Sequence, residues 1–298
     1  MNHLVSEFNR REFLTTATAV GLTASLGIQS TRSAEKQLPD IQIIDTNVNL
    51  FQWPFRQLPL DHTQTLVQKL ESLGIKQAWA GSYEGILHRD ITSVNQRLTD
   101  ECRRFPLLVP VGSINPTLPG WESDLQQCHQ KHQMPGIRLH PNYHGYTLKD
   151  PRFLAVLQQA TAAGLFVQLA VSLEDIRTQH ESLQTADVDL TPLPELAAKV
   201  PGLRLQLLNA KLRADLINKL GQCPGIYFDT ARVESTDGVP ELVKRLPAGR
   251  VLFGTHAPFL IPEAALVRVS ESSTLDSPAL KSVLADNATR FFSGSKTD

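Results

Sequence analysis

The stretch DPRFLAVLQQATAAGLFVQLAVS, residues 150–172, contains one repeat of the fold. Its first part, DPRFLAVLQQATAAG, has the periodicity of an amphipathic helix. Gly164 then stands where a helix ends and the next strand begins, the position that favours a residue just past the last helical turn. From Leu165 the period changes to two. Leu165, Val167, Leu169 and Val171 form one apolar face, which belongs against helices, and Gln168, Ala170 and Ser172 point the other way.

The same rhythm runs outward in both directions. The apolar runs are IQIIDTNVN, QAWAGSYE, LLVPVGSIN, MPGIRLHP, LFVQLAVS, LRLQLLN, GIYFDTA and RVLFGTHAP. Helical segments such as HTQTLVQKLESLG, GWESDLQQCHQKH and VPELVKRLP separate them, and SPALKSVLADNATRFF reads as a closing helix. Eight strands alternating with helices predict an α/β fold, a parallel (β/α)8 TIM barrel over residues 34–298. A doubly wound open sheet is the alternative, but no G-x-G-x-x-G follows the first strand. Alternation turns Arg138 and His140 of GIRLH inward, and likewise Gly254 and His256 of VLFGTH. It does the same for Asp45, Asn47 and Asn49, for Asn209, and for Asp229. These polar groups gather at the carboxyl ends of the strands, where barrels of this kind build their sites.

With those residues placed, the chain resembles the amidohydrolase-related family of metal-dependent TIM-barrel hydrolases. The resemblance spans about residues 41–292. It rests on IIDTNVNLFQWPF, GIRLHPNYHGY, LRLQLLN, VLFGTHAPF and the terminal LADNATRFF. The family ends its first strand in D-x-H-x-H, takes one His from each of the fifth and sixth strands, and takes an Asp from the eighth. Here those positions hold Asn47 and Asn49, Ala170 with Gln168 one layer below, Asn209, and His256. A neutral carboxamide oxygen is a poor zinc ligand, so the frame is kept and the usual ligand set is replaced.

The resemblance implies a hydrolase acting on a small polar molecule, without the family's metal site. Decarboxylating lyases of the same family, and a degenerate barrel that binds a ligand without turning it over, are the alternatives. His140 and His256 are the expected acid–base pair, since an unperturbed imidazole titrates near neutrality. Asp229 orients one of them or acts as base. Asn47, Asn49, Arg138, His144, Gln168 and Asn209 are the expected substrate-binding set. Arg138 is expected to pair with a buried carboxylate such as Asp229 or Glu84, because an unpaired buried charge is costly. A substrate carboxylate is its other possible partner. No cofactor is expected. The alternative is a divalent metal relocated to His140, His144 and His256. Trp53, Phe55 and Arg56 are read as one wall of the pocket, and His62, His129, His132 and His180 as solvated.

A net charge of −1 and the absence of a long basic run exclude a nucleic-acid partner. Cys102, Cys128 and Cys223 are too few and too scattered for a disulfide framework or a thiolate zinc site. At the N-terminus, Arg10-Arg11 precede Phe13-Leu14 and a mildly apolar run reaching Ile28. This resembles a bacterial twin-arginine export signal over residues 1–33, which makes the export machinery a partner of the precursor and the mature protein an exported one.

Overall fold

A computed structural model describes residues 41–272 and 274–294. The export signal read at residues 1–33 lies outside them. The strands are β1 (Ile43–Leu50), β2 (Ile75–Ser82), β3 (Leu108–Pro110), β4 (Gly112–Ser113), β5 (Gly136–Leu139), β6 (Phe166–Ala170), β7 (Leu205–Leu208), β8 (Ile226–Asp229) and β9 (Val251–Leu252). They pair in parallel and in sequence order, β1-β2-β3 and β4 through β9. β3 and β4 are one barrel strand interrupted at Val111, whose N–H still donates to the Ala80 carbonyl (2.8 Å). The ring closes where the eighth strand returns to the first. Thr46 N–H donates to Phe253 O, His256 N–H to Asn47 O, and Asn49 N–H to Ala257 O, each at 2.9 Å. The eight strands read from the sequence thus form the (β/α)8 barrel.

The outer layer comprises α1 (Thr63–Ser72), α2 (Glu84–Leu87), α3 (Ile91–Arg103), α4 (Trp121–Gln130), α5 (Pro151–Ala162), α6 (Leu193–Ala198), α7 (Ala214–Gly221), α8 (Gly238–Arg245) and α9 (Pro262–Ser270). α5 shows why the repeat folds as it does. Asp150 caps its start by accepting from Arg152 N–H, and Pro151 occupies the first turn, where its missing N–H costs nothing. Gly164 takes φ +74° just past its end. Phe153, Val156, Leu157 and Ala160 are fully buried against the outward residues of the sheet. Each large side chain among them contributes roughly 1.5–3 kcal/mol. The closing helix is less regular than its sequence suggests. It runs as α10 (Ser277–Lys281), a π-helical turn (Ser282–Asp286) and α11 (Asn287–Ser293). The π turn releases the Val283 carbonyl to accept from Phe253 N–H.

The barrel interior is layered. At the amino end of β6, Phe166 stacks on Trp79 (4.9 Å between centroids), and Phe291 completes the plug. Above it lies a polar layer. Gln168 Nε2 donates to Thr46 O (2.7 Å) and to Gln206 Oε1 (2.8 Å), while Gln206 Nε2 donates to Thr46 Oγ1 (2.6 Å). Arg138 lies across this layer. A Cβ on Gly81 would come within 2.6 Å of its Nη1, so β2 needs glycine there to admit the guanidinium. Among the described residues, no helix is long and apolar enough to cross a membrane.

Candidate active site

The mouth is built on the ends of β1, β5, β6, β7, β8 and β9. The pairing of β1 with β2 is irregular twice, between Ile43 and Ile44 and between Asp45 and Val48. There Asp45 turns to the closing seam. Its Oδ1 accepts from Thr255 N–H (3.0 Å) and Asn47 N–H (3.0 Å), and its Oδ2 accepts from the Thr255 hydroxyl (2.6 Å). Asp45, expected to point inward, instead caps the strand end at the seam. Asn47 points to the centre. Its Nδ2 donates to Asn209 Oδ1 (2.8 Å) and to Asp229 Oδ2 (2.6 Å). Asp229 Oδ1 accepts from Asn209 N–H (3.1 Å). Asn209 and His256 both sit in the left-handed region, at φ +58° and +57°, a conformation that Asn and His accept more readily than most residues. Gly254 lies beneath, where a Cβ would meet Asn47 Cβ at 3.0 Å and Asp229 Oδ2 at 3.1 Å.

The expected site residues are therefore brought together, but several take other roles. Arg138 meets no carboxylate. Its Nε donates to Gln168 Oε1 (2.9 Å), Nη1 to Val48 O (2.9 Å) and Asn49 Oδ1 (2.8 Å), and Nη2 to Trp79 O (3.3 Å). Glu84 pairs instead with Arg97 near the surface (2.8 Å). The expected ion pair is corrected to a guanidinium that staples β1, β2 and β6 through neutral acceptors. Burial accounts for this, because carbonyls and amides already in place can satisfy the donors without a second buried charge.

The histidines are corrected too. Burial holds His140 well below the usual imidazole range, takes His256 to about 3 and takes His144 to about 4. All three are neutral at pH 7, so the groups that titrate near neutrality are carboxylic acids. Burial pushes Asp229 up to about 7 against the lowering effect of its Asn47 and Asn209 hydrogen bonds. It also lifts Asp45 to about 6, again against its hydrogen bonds to Thr255 and Asn47. His256 Nε2 donates to Leu173 O (2.6 Å), and its ring stacks on Phe259. His144 Nε2 lies 3.0 Å from Gly85 O. His132, read as solvated, is 6% exposed.

No three His, Cys, Asp or Glu side chains among the described residues are grouped as a metal would require, so His140, His144 and His256 do not assemble the relocated site. The family's own position does not fit a cation either. The Asn47 amide N–H2 spans the space between Asn209 and Asp229, and donors there repel a metal.

Aromatic residues cover the mouth. Tyr83 and Phe259 pack edge-to-face (5.2 Å), and Trp53 lies against both (5.7 Å each). Beneath this cover every expected site residue except His144 is buried, with Asp229 at 5% and the rest at 2% or less. Phe55 and Arg56, read with Trp53 as one wall of the pocket, line with it, Tyr83 and Glu84 a cleft of about 900 Å³ that none of the expected site residues lines. Asn47 Oδ1, His140 Nδ1, His256 Nδ1 and the Tyr83 hydroxyl lack a hydrogen-bond partner. Native interiors leave few such atoms, and these leave the mouth with unused hydrogen-bonding capacity. Tyr83 went unnoticed in the sequence. Its signal was its place one residue beyond the polar end of β2.

The sequence profile of a family described as Amidohydrolase matches residues 76–294. The chain belongs to this family. No curated protein matches the chain. Among solved structures, it is similar to 5-carboxyvanillate decarboxylase from Sphingomonas paucimobilis, with a TM-score of 0.64 and 13% identity over 85% of this chain and 99% of that one. The corresponding enzyme from Novosphingobium aromaticivorans, complexed with manganese and a hydroxymethoxynitrobenzoic acid, gives a TM-score of 0.65 and 13% identity over 87% and 97%. 2,6-Dihydroxybenzoate decarboxylase from Rhizobium gives 0.61 and 13% over 84% and 98%. At such identities these likenesses concern the fold.

Proposed function

We propose that this amidohydrolase-family barrel is a hydrolase of a small polar substrate that works by carboxylic-acid chemistry at Asp229 rather than through the family's metal. The observation that carries the reading is Asp229 itself. It is a buried carboxyl fixed on both oxygens by Asn209 and Asn47, brought by burial to about 7, within a mouth that has spare hydrogen-bonding atoms. A general acid–base works best with a pKa near the working pH. In this reading Asp229 takes a proton from the water that attacks the substrate carbonyl and returns it to the leaving group. Asn47 Oδ1, His140 Nδ1 and the Tyr83 hydroxyl hold the substrate's polar groups. Arg138 supplies positive potential from below without touching the substrate.

The test is hydrolysis of an amide, ester and lactone panel, with a parallel assay of carbon dioxide release from hydroxybenzoates. The reading expects hydrolysis that follows an apparent pKa near 7 and falls at least about a hundredfold in Asp229→Asn. Turnover indifferent to Asp229→Asn would overturn it. Carbon dioxide release without hydrolysis would move the chain to the lyase alternative, in line with the decarboxylases that share its fold. The replaced ligand positions, Asn47, Asn49 and Asn209 among them, favour one further reading, ligand binding without turnover. Saturable binding in the absence of any reaction would establish it.

A further inference from the structure

A second cavity reaches Asp229 from the side. A cleft of about 530 Å³ runs between α7 and α8 along the outward face of β7 and β8, and Asp229 forms part of its wall. That volume is typical of a small-ligand pocket. Leu207 and Phe228 from the strands, with Leu212, Ile217 and Leu242, give it an apolar lining. Of its four cations, Lys211, Arg213 and Arg245 are exposed, and Arg232 alone is buried in the lining. Arg232 is only 8% exposed, yet among the described residues its single hydrogen bond runs from Nη1 to Ser172 Oγ (2.9 Å). Its Nε has no partner. The nearest carboxylates are too far for hydrogen bonds, Glu234 at 3.7 Å and Asp175 at 4.0 Å. Glu234 is already engaged by Lys211 at 2.8 Å, and Asp175 by Arg177 at 2.8 Å. A guanidinium carries five donors, and the buried, unpaired Nε leaves Arg232 with capacity for an anion that Ser172 does not use.

We infer that the α7–α8 cleft binds a carboxylate with an apolar body, its head on Arg232 and its body against Leu212, Ile217 and Leu242. The planar fork of arginine matches a carboxylate. Glu234 and Glu241 share the exposed part of the lining with Lys211, Arg213 and Arg245, so the buried guanidinium of Arg232 is the charge that a carboxylate head meets inside the cleft. Arg232 lies between this cleft and the covered mouth, since Ser172, its partner, in turn donates to Asn209 O (3.2 Å). A molecule held on Arg232 therefore lies beside the wall that contains Asp229. Only this last step, which would make the ligand a substrate or product, rests on the function proposed above.

Calorimetric titration of the mature chain with benzoate, decanoate and benzamide tests the inference apart from any turnover. Benzoate or decanoate should bind, and benzamide, which has the shape of benzoate without its charge, should bind at least about tenfold more weakly. Arg232→Gln should weaken carboxylate binding about tenfold or more. Ile217→Trp, at a half-buried position, should fill the cleft and abolish binding without removing a buried charge. Tyr83→Phe at the mouth should leave it unchanged. The inference fails if neither carboxylate binds, or if binding ignores Ile217→Trp and Arg232→Gln. It also fails if binding is lost in Tyr83→Phe, which would move the ligand to the mouth and leave the proposed function standing. Binding that behaves as expected beside hydrolysis indifferent to Asp229→Asn would sink the proposed function alone.

Discussion

Replacing Asp229 with asparagine asks whether the mouth holds a carboxyl that resists ionisation. Burial moves Asp229 from 3.8 to about 7. The folded chain therefore keeps this proton through a pH window in which the unfolded chain has released it. The folded state binds more protons there, so Asp229 makes stability fall as pH rises from about 4 to 7, and its effect levels off above that. At roughly 1.4 kcal/mol per pH unit, the full difference is ~4 kcal/mol. Asparagine is neutral at every pH. It keeps an oxygen for Asn209 N–H, and Asn47 Oδ1 has no partner and can receive its new N–H. Relative to wild type, Asp229→Asn should thus gain about 3–4 kcal/mol between about pH 4 and pH 8, whatever its offset at acid pH. Urea unfolding followed by circular dichroism at four pH values measures this. A difference between the two proteins that stays constant within roughly 0.5 kcal/mol, the size of a neutral surface change, would refute the account of the buried carboxyl.

Three other outcomes are expected. Arg138→Leu strands Gln168 Oε1, Asn49 Oδ1 and the Val48 and Trp79 carbonyls, and should cost ~3–5 kcal/mol in chemical denaturation; an unchanged midpoint would mean those acceptors are met some other way. The mature protein purified without chelator should hold no stoichiometric zinc or manganese by elemental analysis. About one tightly held metal per chain, lost in the double substitution Asn47→Ala with Asn49→Ala, would restore a metal hydrolase. Changing Arg10 and Arg11 to lysine should strand the precursor in the cytoplasm, and normal export of that variant would remove the twin-arginine reading.

The barrel was legible because its signal is local. The switch from helical period to period two around Gly164 recurs along the chain, and strand alternation turned Asn47, Asn49, Arg138, Gln168, Asn209 and Asp229 inward. The missing part is what those side chains meet. Arg138 bonds to acceptors on β1, β2 and β6, and two of them are backbone carbonyls that every residue possesses, so no residue type announces them. The histidines were assigned the titration of free imidazole, whereas their burial is a property of packing, as where Phe259 from a separate loop stacks on His256. Asp45 was only half legible. Its strand was clear, but the register irregularity that turns it toward Thr255 is a property of pairing. Arg232 followed the DT of β8 as an ordinary charged residue, and only the packed structure shows it buried with idle donors.

The seam between the first and last barrel strands has a consequence for how the chain is made. Thr255 grips Asp45 across 210 positions, and Thr46 bonds Phe253 across 207. Contacts this distant in sequence are slow to find. Until residues 251–257 have left the ribosome, the free side of Ile43–Leu50 has no neighbour to pair with. For nearly the whole of synthesis, then, the first strand has an unpaired edge open to pairing with other chains, and such edges are where sheet proteins aggregate. Shielding that edge until closure falls to whatever attends the nascent chain.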